Sequence, residues 1–387
     1  MTLSKIFNFK STVFNLLILA FFIQEFYIDY GFAIKPYMIV GFFFILINIR
    51  KVNIQFNLQS SLIFVFFIYS LLSLLFNLNN NNSINMFLGV SLFTLLFFLI
   101  SSLFKNEKFE VHDLIIPGII ITSLSLIYYV MGFANLDLLN KANPISYGLL
   151  FDRGMPRFKG FANNPDYINL FIIPFFFSSI LYLKKKSNAK ILFCLCVISV
   201  LLSMSLASIF VYIIISIVYL INNIRNFFKY FIITAMILIF CSYIISRNIF
   251  IYEIFERRLS HVETGSGRFE MWNFGIHEFM NNPIFGSGIG TIKNISLEFG
   301  ITNMHNTYLE LLIEFGIFGS LPFLFLIFSL LMNKKENNSI NKKFLFYSSL
   351  ALILNLFTVS AQVHEMLLFQ IFLTQNLNNK VNNKIIK

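Results

Sequence analysis

Apolar runs of about 18 residues or more recur from one end of this sequence to the other, each long enough to cross the ~30 Å hydrocarbon core of a bilayer as a helix. The alternating apolar–polar pattern of a transmembrane barrel strand is absent. Composition points the same way. Of the 387 residues, 57% are hydrophobic and 12% are charged, whereas a soluble domain carries about 25% charged residues. Mean hydropathy is +0.76. The expected fold is an all-α membrane protein, a polytopic bundle of about twelve transmembrane helices with one large polar loop.

The spans are read at roughly 12–30, 36–49, 58–78, 86–104, 114–134, 166–183, 230–247, 315–332, 344–361 and 365–377. The run from 191 to 221 is too long for one comfortable helix and is divided in two at the small residues Ser203–Ser208. This gives N-terminal helices over 1–134, a first polar segment over 135–165 and central helices over 166–247. A large polar loop over 248–305 and C-terminal helices over 306–387 complete the chain. The tip Asn79–Asn82 is a polar loop without chemistry of its own.

The formal charge of +11 is explained by orientation, not by nucleic acid. With the N-terminus inside, Arg50, Lys51, Lys105, Lys108, Lys184–Lys186, Arg225, Lys229, Lys334, Lys335, Lys342 and Lys343 all fall in cytoplasmic loops, as the positive-inside rule requires. Both termini are then cytoplasmic, and both long polar segments face outward. The basic start (Lys5, Lys10) and its apolar core read as a retained first span. Cys194, Cys196 and Cys241 lie within apolar runs and indicate neither disulfides nor a metal site. Glu25, Asp29 and His112 sit near span ends, so the mid-membrane charges of a transporter are nearly absent. The chemistry is expected on the outer face.

There the composition changes. After the turn Thr264–Gly267, with Ser266 as a candidate N-cap, a helix is expected to about Met280 and to stop at Asn281–Asn282–Pro283. Phe269, Trp272, Ile276 and Phe279 recur at helical spacing on one face. Arg268 in the first turn opposes the helix dipole, which fits either an anionic ligand or a salt bridge to a loop acid. The run Gly286–Ser287–Gly288–Ile289–Gly290 either offers backbone N–H groups to a phosphate or makes a tight turn. His305 opens the next helix as either a general base or a capping residue. His261, His277 and His364 are more ordinary, and none shows a metal-ligand spacing. Upstream, Arg153, Arg157 and Lys159 fit a pyrophosphate or anionic headgroups equally well.

These residues together resemble the O-antigen ligase and polymerase family. The resemblance lies in Arg268 with Trp272, Asn282–Pro283, Gly286–Ser287–Gly288, His305–Asn306–Thr307–Tyr308–Leu309 and Glu314–Phe315–Gly316–Ile317–Phe318–Gly319. Upstream it extends to Arg157–Phe158–Lys159–Gly160 leading into Asn163–Asn164–Pro165. It implies a multi-pass protein of the bacterial inner membrane with a periplasmic active site and no cofactor or metal. The implied substrate is a glycan on undecaprenyl pyrophosphate, transferred to an acceptor hydroxyl. His305 would take the acceptor proton, and Arg268 would hold the diphosphate with Arg157, Arg153 and Lys159 nearby. Trp272, Tyr308, Gly286 and Gly288 would support the substrate site. The expected partners are the lipid-linked oligosaccharide, membrane lipid and a chain-length regulator. One departure is visible: many members carry arginine after the hinge serine, where Ser205 is here followed by Leu206. Polymerisation of repeat units is the preferred activity, ligation onto lipid A core the alternative, and a lipid-linked glycan flippase the alternative of a different class.

Overall fold

The computed structural model describes residues 16, 18–29, 33–48, 57–75, 77, 80–104, 110–134, 147–152, 155–221, 268–293, 295, 304–332, 340–362 and 364–378. The span at 230–247, Arg153, Ser266 and most of the lysine-bearing loops lie outside these residues.

Helices dominate. They are α1 (Pro36–Asn48), α2 (Leu58–Leu75), α3 (Asn81–Phe104), α4 (Ile115–Ala134), α5 (Pro165–Tyr182), α6 (Ser187–Leu202), α7 (Leu206–Ile221), α8 (Arg268–Asn281), α9 (Thr307–Ser329), α10 (Ile340–Asn355) and α11 (Glu365–Asn378). Among the described residues, five helical stretches are long and apolar enough to cross a membrane, including Leu58–Leu75, Pro165–Tyr182 and Thr307–Ser329. The break between α6 and α7 falls in Ser203–Ser205, with Met204 in the left-handed region at φ 51°. The hinge drawn from the small residues is therefore where the chain turns.

The all-α expectation needs one amendment. Two short antiparallel hairpins, β1 (Ile28–Asp29) with β2 (Ala33–Ile34) and β3 (Leu149–Asp152) with β4 (Met155–Phe158), occupy stretches read as span end and polar loop. Nothing of the first helix extends past Phe21, because the backbone N–H groups of Gln24 and Glu25 turn to the carbonyl of Phe161. Helix α9 starts at Thr307, two residues after the expected opening at His305 and eight before the apolar span read from 315. Asn306 caps it, its side chain accepting from the N–H of Tyr308 and Leu309, and so satisfies donors that a helix start leaves open.

Helix α5 organises the bundle. Its window is 78% buried, against 33–56% in the other four candidate spans, so α5 is surrounded by helices and not by lipid. It begins with Asn164 as N-cap and Pro165 in the first turn, where the missing proline N–H costs nothing. Its Asn169 side chain donates to Ser203 Oγ at 3.0 Å, and Tyr212 donates to the Asn169 carbonyl at 2.7 Å. The α6–α7 hinge is thereby fixed against the central helix. Hairpin β3–β4 rests on α4, where Tyr129 donates to the Pro156 carbonyl at 3.1 Å and packs edge-on against Phe158.

Helix α9 is broken at Gly316, whose φ of 63° and ψ of −169° are not helical. The Gly286–Gly290 turn fills the break. Ser287 and Gly288 donate backbone N–H groups to the carbonyls of Ile313 and Glu314, and Ile317 donates to Pro283. A Cβ on Gly286 would stand 2.5 Å from the Glu314 backbone, and one on Gly316 2.4 Å from the Ile284 carbonyl. Backbone meets backbone here, which only glycine permits.

Candidate functional site

The site is built from four elements that meet at the start of α5. Strand β4 supplies Arg157. Pairing Leu150 with Arg157 and Asp152 with Met155, the hairpin directs the guanidinium under the bundle, where Arg157 is 6% exposed. There every edge of the fork is engaged. Nη1 donates to Asp152 Oδ2 at 2.9 Å, Nη2 to Asp166 Oδ1 at 3.0 Å and Nε to the Ser203 carbonyl at 3.0 Å. The hinge that lacks an arginine of its own thus receives one from β4.

Helix α8 supplies Arg268 at its first residue, with Nη2 3.5 Å from Asp166 Oδ2. The salt-bridge alternative for Arg268 is therefore realised with an acid of α5. Its side chain keeps 23% exposure, whereas that of Arg157 keeps 7%. One guanidinium is locked and the other lies at the edge of the site.

His305 completes the group. It stands just before α9, not within it, and its φ is 49°. A β-carbon in this region costs ~1–3 kcal/mol unless the surroundings enforce it. They do so through Met304. Trp272 Nε1 donates to the Met304 carbonyl at 2.9 Å, and the Met304 N–H donates to Glu310 Oε1 at 3.1 Å. Ser360 also donates to Glu310 Oε1. Burial pushes the His305 imidazole below its ordinary value. The charges of Arg268 and Arg157 push the same way, while Asp166 opposes them. The ring is held neutral near pH 7, the state a proton acceptor needs.

Helix α8 is positioned by close packing. A Cβ on Gly275 would lie 2.8 Å from Leu309 Cδ2, so α8 lies directly against α9. The four expected face residues divide: Trp272 and Phe279 pack with Met304, Leu309 and Ile313, while Phe269 and Ile276 are 55% and 46% exposed. The close approach at Gly275 rolls the helix, and Met271 and Phe274 take the inner places.

The remaining expected residues are placed elsewhere. Lys159 is buried and paired with Glu25 at 2.9 Å, so it ties β4 to the first helical region. Arg153 lies outside the described residues. The Tyr308 hydroxyl donates to the Ile353 carbonyl at 2.9 Å and its ring packs on Phe357, anchoring α9 to α10. Gly286 and Gly288 spend their N–H groups on the carbonyls of Asn282 and Glu314. Their geometry is that of the tight turn.

Asp166 is the residue that sequence reasoning passed over. Its signal is the run Asn164–Pro165–Asp166, a cap, a proline and an acid in the first turn of α5. A second buried group closes the same region: Glu365 pairs with Lys35 and accepts from Gln24 Nε2 at 2.6 Å, beside His364. Tyr167 joins the two, donating to the Ser360 carbonyl at 2.8 Å with its ring 5.0 Å from that of His364.

Residues 191–324 match the family model described as O-antigen ligase. That segment contains the hinge, Arg268, the glycine turn and His305, while Arg157 and Asp166 lie upstream of it. No curated protein matches the chain.

Proposed function

We propose that this member of an O-antigen ligase/polymerase-like family polymerises undecaprenyl-diphosphate-linked repeat units of a surface polysaccharide at the periplasmic face of the inner membrane. The observation that carries the reading is the convergence of Arg157, Arg268 and His305 around Asp166. Their sequence positions span 148 residues and come from three separate elements.

In the proposed reaction, His305 accepts the proton of an acceptor sugar hydroxyl as that oxygen attacks the anomeric carbon of the donor. The bond from this carbon to the diphosphate oxygen breaks, and undecaprenyl diphosphate leaves with the electron pair. The imidazolium then returns its proton to solvent. Arg268 binds the diphosphate and stabilises the charge that grows on it in the transition state. Guanidinium suits this task because it presents a planar fork of donors to phosphate oxygens.

The test is a gel of surface polysaccharide from a strain lacking the gene. Core capped with a single repeat unit is the expected result. Unmodified core with lipid-linked polymer accumulating would assign ligation instead, because donor and chemistry are shared and only the acceptor differs. Accumulation of undecaprenyl-linked repeats on the cytoplasmic face would contradict both and indicate a flippase.

A further inference from the structure

Asp166 has no part in the reaction as written, yet it is the residue on which both arginines close. Its side chain is 9% exposed, with Arg157 on Oδ1 at 3.0 Å and Arg268 on Oδ2 at 3.5 Å. The two arginines are not equivalent. Arg157 has its other two edges committed to Asp152 and the Ser203 carbonyl. Arg268 makes the longer contact from the more open position. Asp166 itself is held at both backbone and side chain: Asn164 caps its backbone N–H after the rigid Pro165, and Arg157 holds its carboxylate.

The geometry points to Asp166 as an internal competitor for Arg268, an anion that holds this arginine while the site is empty, yields it to the donor's diphosphate and takes it back as the lipid diphosphate product leaves. This rests on the diphosphate role of Arg268 proposed above. A buried carboxylate and a diphosphate beside one guanidinium repel each other, so Asp166 weakens binding of donor and product alike. What it contributes is release. A product carrying two phosphates would otherwise remain on Arg268, and turnover would be limited by its departure.

Trp272, the sole tryptophan of the chain, lies one helical turn from Arg268 and reports on the site. The test is a fluorescence titration of the full-length protein in lipid nanodiscs with undecaprenyl diphosphate as the probe. Asp166→Asn removes the competing charge and is expected to tighten binding at least ~threefold, with later turnovers slowed relative to the first. Asp166→Glu keeps the charge on a longer arm able to follow Arg268, and is expected to weaken binding by a similar ~threefold factor. Opposite shifts would not arise from a structural brace, for which both substitutions weaken binding. If Asp166→Asn fails to fold, Asp166→Ala takes its place as the charge-removing variant: tighter binding is expected there, and unchanged or weaker binding overturns the proposal. In a folded Asn variant, unchanged or weaker binding overturns it. Arg268→Gln separates the two levels. Probe binding kept by that variant refutes the diphosphate role itself, whereas binding lost there with no tightening in Asp166→Asn refutes only the competition.

Discussion

The indole N–H of Trp272 donates to the carbonyl of Met304 at 2.9 Å, so the helix that carries Arg268 also sets the backbone immediately before His305. With the Met304 N–H held by Glu310 from the other side, the peptide groups on both sides of Met304 are held. His305 is thereby kept in its left-handed conformation. Trp272→Phe keeps an aromatic ring and deletes the donor. The expected loss is ~1 kcal/mol of stability but ~10-fold or more in turnover, because small misplacements of a reacting group are costly. Thermal unfolding and transfer kinetics on the same preparation check both halves. A variant with full turnover would show that the clamp does not position the imidazole.

The pH dependence of transfer follows from the same residue. His305 is pushed below the ordinary imidazole value of 6.5, first by burial and then by Arg268, with Asp166 opposing and Arg157 adding to the depression. A base works in its neutral form. Activity should therefore persist as pH falls past 6.5 and be lost only below it. Arg268→Gln removes a charge that lowers the value, so the residual activity of that variant should show its acid limb moved upward. A wild-type limb above 6.5 would contradict the assignment of His305 as the titrating group.

Arg157 is expected to behave as a structural residue first. Its substitution by lysine leaves a buried cation that cannot serve Asp152, Asp166 and the Ser203 carbonyl together. Breaking a buried pair of this kind costs ~3–5 kcal/mol, and arginine and lysine are not interchangeable at forked contacts. Thermal unfolding in detergent should show a large drop for Arg157→Lys, where Arg268→Lys, at a more open position, shows a small one.

Much of this arrangement was legible in the sequence, and the failures have physical causes. Hydrophobic length located most of the described helices, and the small residues Ser203–Ser208 located the hinge. The glycine run, the His305–Asn306 start and Arg268 were singled out by residue type. What remained hidden depends on contacts between distant segments. Nothing local distinguishes Arg157, which reaches the hinge and α5, from Lys159, two residues on, which pairs with Glu25. Asp166 looked like part of a helix start because it is one, and its partners lie 9 and 102 residues away. The start of α9 was legible at His305–Asn306, whereas hydropathy opens the apolar span only at 315, after Glu310 and Glu314. Both acids are buried, accepting from the backbone N–H groups of Met304 and Gly290.

The break in α9 gives a prediction independent of chemistry. Gly316→Ala places a Cβ 2.4 Å from the Ile284 carbonyl on a residue whose φ is 63°. Strain at such a backbone costs ~1–3 kcal/mol before the clash is counted. Gly286→Ala attacks the same contact from the other side. Each single variant should unfold at clearly lower temperature. The double variant should lose less than the sum, since both relieve one interface.

The most direct measurement is glycan transfer by the purified protein, with undecaprenyl-diphosphate-linked repeat units extracted from a producing strain as donor and acceptor. Wild type should lengthen the chains and release undecaprenyl diphosphate. His305→Gln, folded to the same thermal midpoint, should lose ~10²–10⁴ of that rate, the range expected for removal of a general base. Chain extension by folded His305→Gln at the wild-type rate would contradict the account.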